Sequence, residues 1–368
     1  MTYTLSDLGW SAQFSQQLSV EDLDSLTPAR VSQVHRTSLS VLTENGPLSV
    51  TTDKSSTGTY AVGDWLLLDG AQISRRLDRS SLLERRASGE DARPQLIAAN
   101  VDTLFIVTSC NPDFNPARLE RYLVLAHTAG CHPVIVLTKS DMAQADDYVR
   151  QAEGLQPMLS VLAVDARDPA QTAALTDWWG KGRTAAMVGS SGVGKSTLAT
   201  TLTGQDLATA EIREDDARGR HTTTARSLHR ATHGGWLIDT PGMRALRLLD
   251  ASDGIETVFS DLEELAATCK FRDCAHETEP GCSVQAAIAA GQIDEARLHR
   301  WQKLAREDLH NSQSLAQSRA RGKAFGKMVK GAMSAADQRK GRQAIRWRSR
   351  QVPRSSPPRL AAHSSPAD

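Results

Sequence analysis

No apolar run in this chain approaches the ~20 residues needed to cross a bilayer, which argues against a membrane-spanning helix. Disulfide staples are equally short of material. Of five cysteines, Cys110 and Cys131 stand alone, while Cys269, Cys274 and Cys282 cluster tightly. That spacing suits a metal site in a reducing compartment better than an oxidised scaffold. The opening residues, MTYTLSDLGW, have neither a basic segment nor an apolar stretch, so no secretory signal is expected and the cytoplasm is the expected location. Net charge is missing too, with 43 Lys or Arg against 43 Asp or Glu, but this balance hides a polarity. Between Gln317 and Arg354 there are twelve Lys or Arg and one acid, Asp337, which leaves the remainder correspondingly acidic.

A chain of 368 residues has room for two or three domains and can bury a core without covalent staples. Residues 1–29 read as an N-terminal extension with amphipathic stretches around Leu18 to Leu26, closed by Pro28. From 30 to 95 short alternating or apolar runs, such as Ser38–Leu42 and Trp65–Leu68, are separated by Asn45-Gly46, Gly63-Asp64 and Asp69-Gly70. Four or five short strands with such breaks suit a small β-barrel. An oligonucleotide-binding (OB) barrel is one candidate, and a small β-domain without a binding role is the other. From 96 to 250 the chain alternates continuous apolar strands (Thr103–Val107, Val134–Leu137, Val161–Val164, Ala185–Val188, Trp236–Asp239) with helical segments, among them Ala117–Ala129. This predicts a doubly wound α/β domain whose ligands sit beyond the carboxyl ends of its strands. Residues 251–318 are expected to be helical around the cysteine cluster. Residues 319–368 form a basic tail that is expected to be partly disordered.

Three signatures fall at that carboxyl edge. Gly189-Ser190-Ser191-Gly192-Val193-Gly194-Lys195-Ser196 fits the phosphate loop GxxxxGK[ST], with a helix starting near Thr197. Its glycines let backbone N–H groups converge on an anion at a helix N-terminus. Lys195 is expected to bridge the β- and γ-phosphates, and Ser196 to ligate Mg²⁺. Asp239-Thr240-Pro241-Gly242 follows about fifty residues later. There Asp239 is placed to hold Mg²⁺, and the Gly242 N–H to meet the γ-phosphate. Between them lies Gly219-Arg220-His221-Thr222-Thr223-Thr224, where a switch segment belongs. Thr223, with Thr222 close behind, is expected to complete the Mg²⁺ shell. Met243 stands where Ras-like enzymes place a glutamine that orients water. His221 is the candidate to do so here, and a solvent-exposed switch histidine is the alternative.

The base reader, Thr138-Lys139-Ser140-Asp141, comes before all of these. The Asp141 carboxylate can accept from guanine N1–H and N2–H₂, whereas adenine offers neither donor, and an unmet carboxylate is costly. Lys139 is expected along the base plane. Thr138 stands where a GTPase more often has Asn, a residue that mainly braces neighbouring loops and guanine, so Thr is expected to weaken the fit without changing the preference. A second base-contacting loop is expected near Asp165-Ala166. The reader-first order points to a circularly permuted GTPase. An ATP-dependent kinase built on the same phosphate loop is disfavoured by Asp141.

Cys269-x4-Cys274-x-His276-x5-Cys282 offers three thiolates and one imidazole within fourteen residues. Such a set closes a tetrahedral shell and describes structural zinc, with no open position for substrate.

With this order, GRHTTT, DTPG and the CKFRDCxHxxEPGC stretch assembled, the chain resembles the RsgA family, also called YjeQ or YloQ, over residues 30 to 345. The resemblance implies an N-terminal OB barrel, a central circularly permuted GTPase domain and a C-terminal zinc domain. It also implies GTP hydrolysis stimulated by the small (30S) ribosomal subunit, contact with 16S rRNA, and a role in late subunit maturation. GTP and GDP would then alternate between bound and released states, with Mg²⁺ accompanying GTP and one Zn²⁺ per chain. A hydrophobic residue after DTPG is a family habit that Met243 matches. A monomer is expected. The competing reading is an RNA-binding assembly factor whose nucleotide is only a structural ligand.

Overall fold

The computed structural model describes residues 2–52, 57–86, 94–206, 226–240, 248 and 250–312. Thirteen strands are found among them. They are β1 (Thr27–Val34), β2 (Ser38–Thr43), β3 (Gly46–Thr51), β4 (Trp65–Asp69), β5 (Gln72–Arg76), β6 (Leu82–Arg86), β7 (Pro94–Ala99), β8 (Thr103–Ser109), β9 (His132–Thr138), β10 (Ser160–Ala163), β11 (Thr184–Val188), β12 (Ser227–Arg230) and β13 (Trp236–Asp239).

Strands β10, β9, β8, β11 and β13 lie side by side in that order, all parallel, and β12 closes the row antiparallel to β13. Alternate residues of each strand feed two different cores. Leu104, Ile106, Ile135, Leu137, Ala186, Val188, Trp236 and Ile238 face one layer. Phe105, Val107, Val134, Val136, Ala185, Met187 and Leu237 face the other. Burial on both faces explains why these strands read as unbroken apolar runs. The first layer includes helix Pro116–Ala129, through Leu119, Tyr122, Leu123 and Ala126. Asn115 caps that helix by accepting from the Arg118 N–H, Pro116 opens it, and Gly130 ends it in the left-handed region. The second layer includes helix Lys195–Thr203, through Leu198, Ala199 and Leu202, together with Trp179.

The β-module before this domain is continuous with it. Gln33 of β1 pairs with Ser40 of β2 on one edge and with Ser227 of β12 on the other. The first half of β1 pairs with β4, which pairs with β5, and β3 packs near β5. Inside these five strands Ala29, Val31, Leu39, Val41, Val50, Leu66 and Leu68 form a separate small core. Strands β6 and β7 make a two-stranded ribbon of their own.

The N-terminal residues are structural. Leu8 is fully buried, Trp10 meets Trp65 edge-on with centroids 4.8 Å apart, and the Trp236 Nε1–H donates to the Asp7 carbonyl at 2.6 Å. Arg30, 1% exposed, donates to the Leu8 carbonyl at 2.5 Å and to Thr184 Oγ1 at 2.6 Å, and so joins N-terminal segment, β-module and nucleotide sheet. Burial lowers its pKa to about 10. By contrast, helix Val20–Ser25 leaves Val20 and Leu23 exposed, so the amphipathic stretch there does not bury an apolar face.

After β13, helices Ser252–Val258, Ser260–Ala267 and Ser283–Ala289 and a helical stretch at 295–312 follow. Val258, Phe259, Leu262, Val284, Leu298 and Leu304 join the first core layer. All described residues belong to one unit. None of their helices is long and apolar enough to cross a membrane.

Candidate nucleotide site and metal cluster

The phosphate loop leaves β11 at the sheet's carboxyl edge and enters helix Lys195–Thr203. Gly189 is held at φ 150°, where a Cβ would lie 2.1 Å from the Val107 carbonyl oxygen, so no larger residue fits against β8. Gly192 and Gly194 also have positive φ. Lys195 Nζ donates to the Gly189 and Ser190 carbonyls at 3.0 and 2.7 Å, folding over the mouth of its own loop. Asp239 ends β13 beside it. Burial raises the Asp239 carboxyl, while the charge of Lys195 and the Thr240 N–H pull it back. Thr240 is buried, and its hydroxyl donates to the Met187 carbonyl, which fixes the strand end against β11.

The segment expected to read the base docks directly on this loop. The hydroxyl of fully buried Thr138 reaches the Thr108 carbonyl at 3.1 Å and the Val193 carbonyl at 2.5 Å. Thr138 therefore braces β8 and the phosphate loop, the loop-bracing part of the task expected of an asparagine. Lys139 adopts the left-handed conformation and its Nζ donates to the Gly192 carbonyl at 3.0 Å. Asp141 follows in a single turn of 3₁₀ helix.

The loop after β10 completes the ring. Arg167 donates to Asp141 Oδ2 and Asp165 Oδ2, both at 2.8 Å, and the side-chain and backbone bonds from Arg167 to Asp165 lower that carboxyl to about 2. The Thr201 hydroxyl, on the phosphate-loop helix, donates to the Ala166 carbonyl at 2.7 Å. Asp165-Ala166 thus lies beside both other segments. Arg167 escaped the sequence reading because nothing in its spacing shows that two separate carboxylates converge on it. Arg118, which donates to the Ser190 hydroxyl, escaped likewise. Ser191, Ser196 and Thr197 stand in the loop and its helix as the motif requires. His221, Thr222, Thr223, Gly242 and Met243 lie outside the described residues.

The metal cluster assembles from a loop and two helices. Cys269 follows helix Ser260–Ala267, Cys282 caps helix Ser283–Ala289, and His276 reaches inward from a left-handed backbone. The ligand atoms of Cys269, Cys274, His276 and Cys282 lie within 4.8 Å of one another. A tetrahedron with Zn–S of ~2.3 Å and Zn–N of ~2.05 Å has edges of about 3.8 Å (S···S) and about 3.5 Å (S···N). Observed separations are 3.9 Å for Cys269 to Cys282, and 3.6 and 3.5 Å from these sulfurs to His276 Nδ1. The donor set fits structural zinc in chemistry and in size. Around it, the Gln285 side-chain amide donates to the His276 carbonyl at 2.6 Å, and Trp301 packs on the His276 ring at 5.6 Å. The Glu279 carboxylate accepts from the N–H groups of Ala275, Glu277 and Thr278, which shapes the loop and lowers its own pKa.

The chain is similar to known proteins in family, in sequence and in fold. A protein-family model described as RsgA GTPase matches residues 76–249. The chain is 54% identical over 317 residues to a Mesorhizobium japonicum protein named small ribosomal subunit biogenesis GTPase RsgA, spanning 84% of this chain and 91% of that one. It is 47% identical over 342 residues to small ribosomal subunit biogenesis GTPase RsgA 2 of Vibrio parahaemolyticus, spanning 92% and 95%. Among solved structures, YjeQ from Thermotoga maritima superposes with a TM-score of 0.55 at 25% identity, covering 77% of this chain and 99% of that one. The structure of YloQ, a circularly permuted GTPase, gives 0.54 at 22% identity over 77% and 94%, a likeness of fold.

Proposed function

The chain belongs to the RsgA GTPase family, and from that premise we propose that it hydrolyses GTP while bound to the small ribosomal subunit, assists that subunit's late maturation in the cytoplasm, and leaves it as the GDP form. The observation that carries the reading is the docking of Thr138 and Lys139 on Val193 and Gly192. It supports a purine-reading role for Asp141 beside a triphosphate cradle, since the segment carrying Asp141 meets the phosphate loop although 47 residues separate Asp141 from Gly189 along the chain.

In this reading the loop N–H groups from Gly189 to Lys195 surround the phosphates, Lys195 turns from its own loop carbonyls to the β- and γ-oxygens, and Asp141 takes the guanine N–H donors. Arg167 keeps the Asp141 carboxylate oriented. Ser196 and Asp239, with Thr223, offer the hard oxygen donors that Mg²⁺ prefers. When bound, Mg²⁺ supplies positive charge to the β- and γ-phosphate oxygens. His221 is the residue assigned to position water, since Met243 cannot. Zn²⁺ at Cys269, Cys274, His276 and Cys282 is structural.

The strand order through β1 to β5 supports an OB-type barrel over residues 30–95. The GTPase domain takes 96–250, the zinc module 251–318 and the basic tail 319–368. Barrel, zinc module and tail are the assigned contacts to 16S rRNA, and the working unit is one chain. Asp141→Asn tests the site directly. An amide in that position loses its match to guanine N2–H₂ but can donate to the 2-oxygen of xanthine. GTP binding should fall by roughly a hundredfold or more while xanthosine triphosphate gains. Unchanged discrimination among GTP, ATP and xanthosine triphosphate would refute the assignment.

A further inference from the structure

Beside the phosphate loop, and sharing only Ser190 and Ser191 with it among the described residues, lies a cavity of about 590 Å³. Its walls are two helices. Arg118 and Arg121, three apart on Pro116–Ala129, face Arg300 and Lys303, three apart on the 295–312 helix. Residues at that spacing share a helix face, so the slot is flanked by two cationic ridges, with Asp113 the only acid among its described lining residues. Ala117, Tyr122 and Leu304 line it with apolar surface, and Ser190 and Ser191 of the phosphate loop close one end.

These cations are differently employed. Arg121 is locked bidentately on Glu307 at 2.6 and 2.6 Å, and the Arg300 Nε–H on buried Glu120 at 2.6 Å. Both pairs fix the walls. Arg118 is exposed and rests on the Ser190 hydroxyl. Lys303 is exposed and has no acidic partner among the described residues. The slot therefore has rigid sides and two cations available to a ligand.

We propose that this slot receives one nucleotide unit of an RNA strand of the small subunit, its phosphodiester on Arg118 and Lys303 and its base on the apolar floor. The inference rests on the GTPase reading above and extends it by naming where RNA meets the catalytic domain. A nucleotide joins an anion to a flat apolar face, the pairing this lining offers. An extended polyanion is favoured over a short acidic peptide because the wall helix, with Arg300, Lys303 and Arg306, leads in sequence into the stretch of twelve Lys or Arg. RNA seated here would press on Ser190 through Arg118, and on the zinc module through the helix whose Trp301 packs on His276.

The test uses the full chain and purified small subunits. Lys303→Glu should leave basal GTP hydrolysis unchanged, and should raise the small-subunit concentration for half-maximal stimulation by roughly tenfold, with a salt slope about one unit shallower. Arg306→Glu, on the same helix but outside the slot, should change the half-maximal concentration far less. A photocrosslinker at position 303 should capture RNA. Equal behaviour of the two charge reversals, or crosslinking to a ribosomal protein instead of RNA, would overturn the proposal. If the wild-type chain shows no stimulation at all, the functional reading fails instead, and the crosslink at 303 still decides what the slot holds.

Discussion

Replacing Glu120 and Arg297 tests what clamps the C-terminal helices to the nucleotide domain. Glu120 has no solvent exposure and accepts from Arg297 Nη1 at 3.1 Å and Arg300 Nε at 2.6 Å. Arg297, 7% exposed, also donates to Asp261 at 2.9 and 2.9 Å and to the Leu155 and Val258 carbonyls at 3.0 and 3.0 Å. Burial raises the Glu120 carboxyl even though Arg300 and Arg297 pull it down, so desolvation outweighs the pairing. The cluster therefore fixes geometry more than it adds net stability, and removing one member is what costs. Glu120→Ala leaves Arg297 with Asp261 and two carbonyls, and should cost about 3 kcal/mol, the lower end for a broken buried pair. Arg297→Ala strands the carboxylate on Arg300 and removes donors from three further acceptors, and should approach about 5 kcal/mol. Glu120→Gln keeps the shape without the charge and should cost about 1 kcal/mol. The double Ala variant should be less destabilised than the sum by about 1–3 kcal/mol. Urea unfolding followed by tryptophan fluorescence measures all four. Strict additivity, or Glu120→Gln proving the worst of the three single changes, would refute the reasoning.

Gly189→Ala should abolish nucleotide binding and destabilise the fold, because its Cβ meets the Val107 carbonyl at 2.1 Å; titration with a fluorescent GTP analogue and thermal unfolding check both. Chelation or Cys282→Ser should abolish metal binding at the Cys269, Cys274, His276 and Cys282 cluster, which brings a loop and two helices together. Such sites contribute ~10–16 kcal/mol of apparent binding in peptides, so hydrogen exchange should rise across 251–312 while the sheet around β8, β9 and β11 stays protected. Burial lowers the pKa of His132, His229 and His233 below the ordinary 6.5. The unfolded chain then binds more protons between 6.5 and those lower values, so stability should fall as pH drops from 7 towards 5.5. A flat stability profile over that interval would contradict it.

Much of this was legible because sheet burial and anion chemistry leave local marks. Strands buried on both faces must be apolar throughout, so β8, β9, β11 and β13 could be placed within a residue or two. A phosphate loop needs its glycines at fixed positions, and a candidate metal cluster whose four donors fall within fourteen residues shows as a local motif. What escaped were long-range polar contacts. Nothing around Arg30 announces that it ends buried against Leu8 and Thr184, 22 and 154 residues away. Nor does the sequence near Glu120 show that its partners lie 177 and 180 residues on. The N-terminal segment escaped for a similar reason. Leu8 and Trp10 carry no periodicity, and their burial depends on Trp65 and Trp236 arriving from elsewhere.

The most direct test is GTP turnover by the full chain with and without purified small subunits, for the wild type, Lys195→Ala and Ser196→Ala. A large stimulation that disappears in both variants is the predicted result. GTP binding with no gain in turnover on adding subunits, or stimulation surviving in either variant, would contradict it.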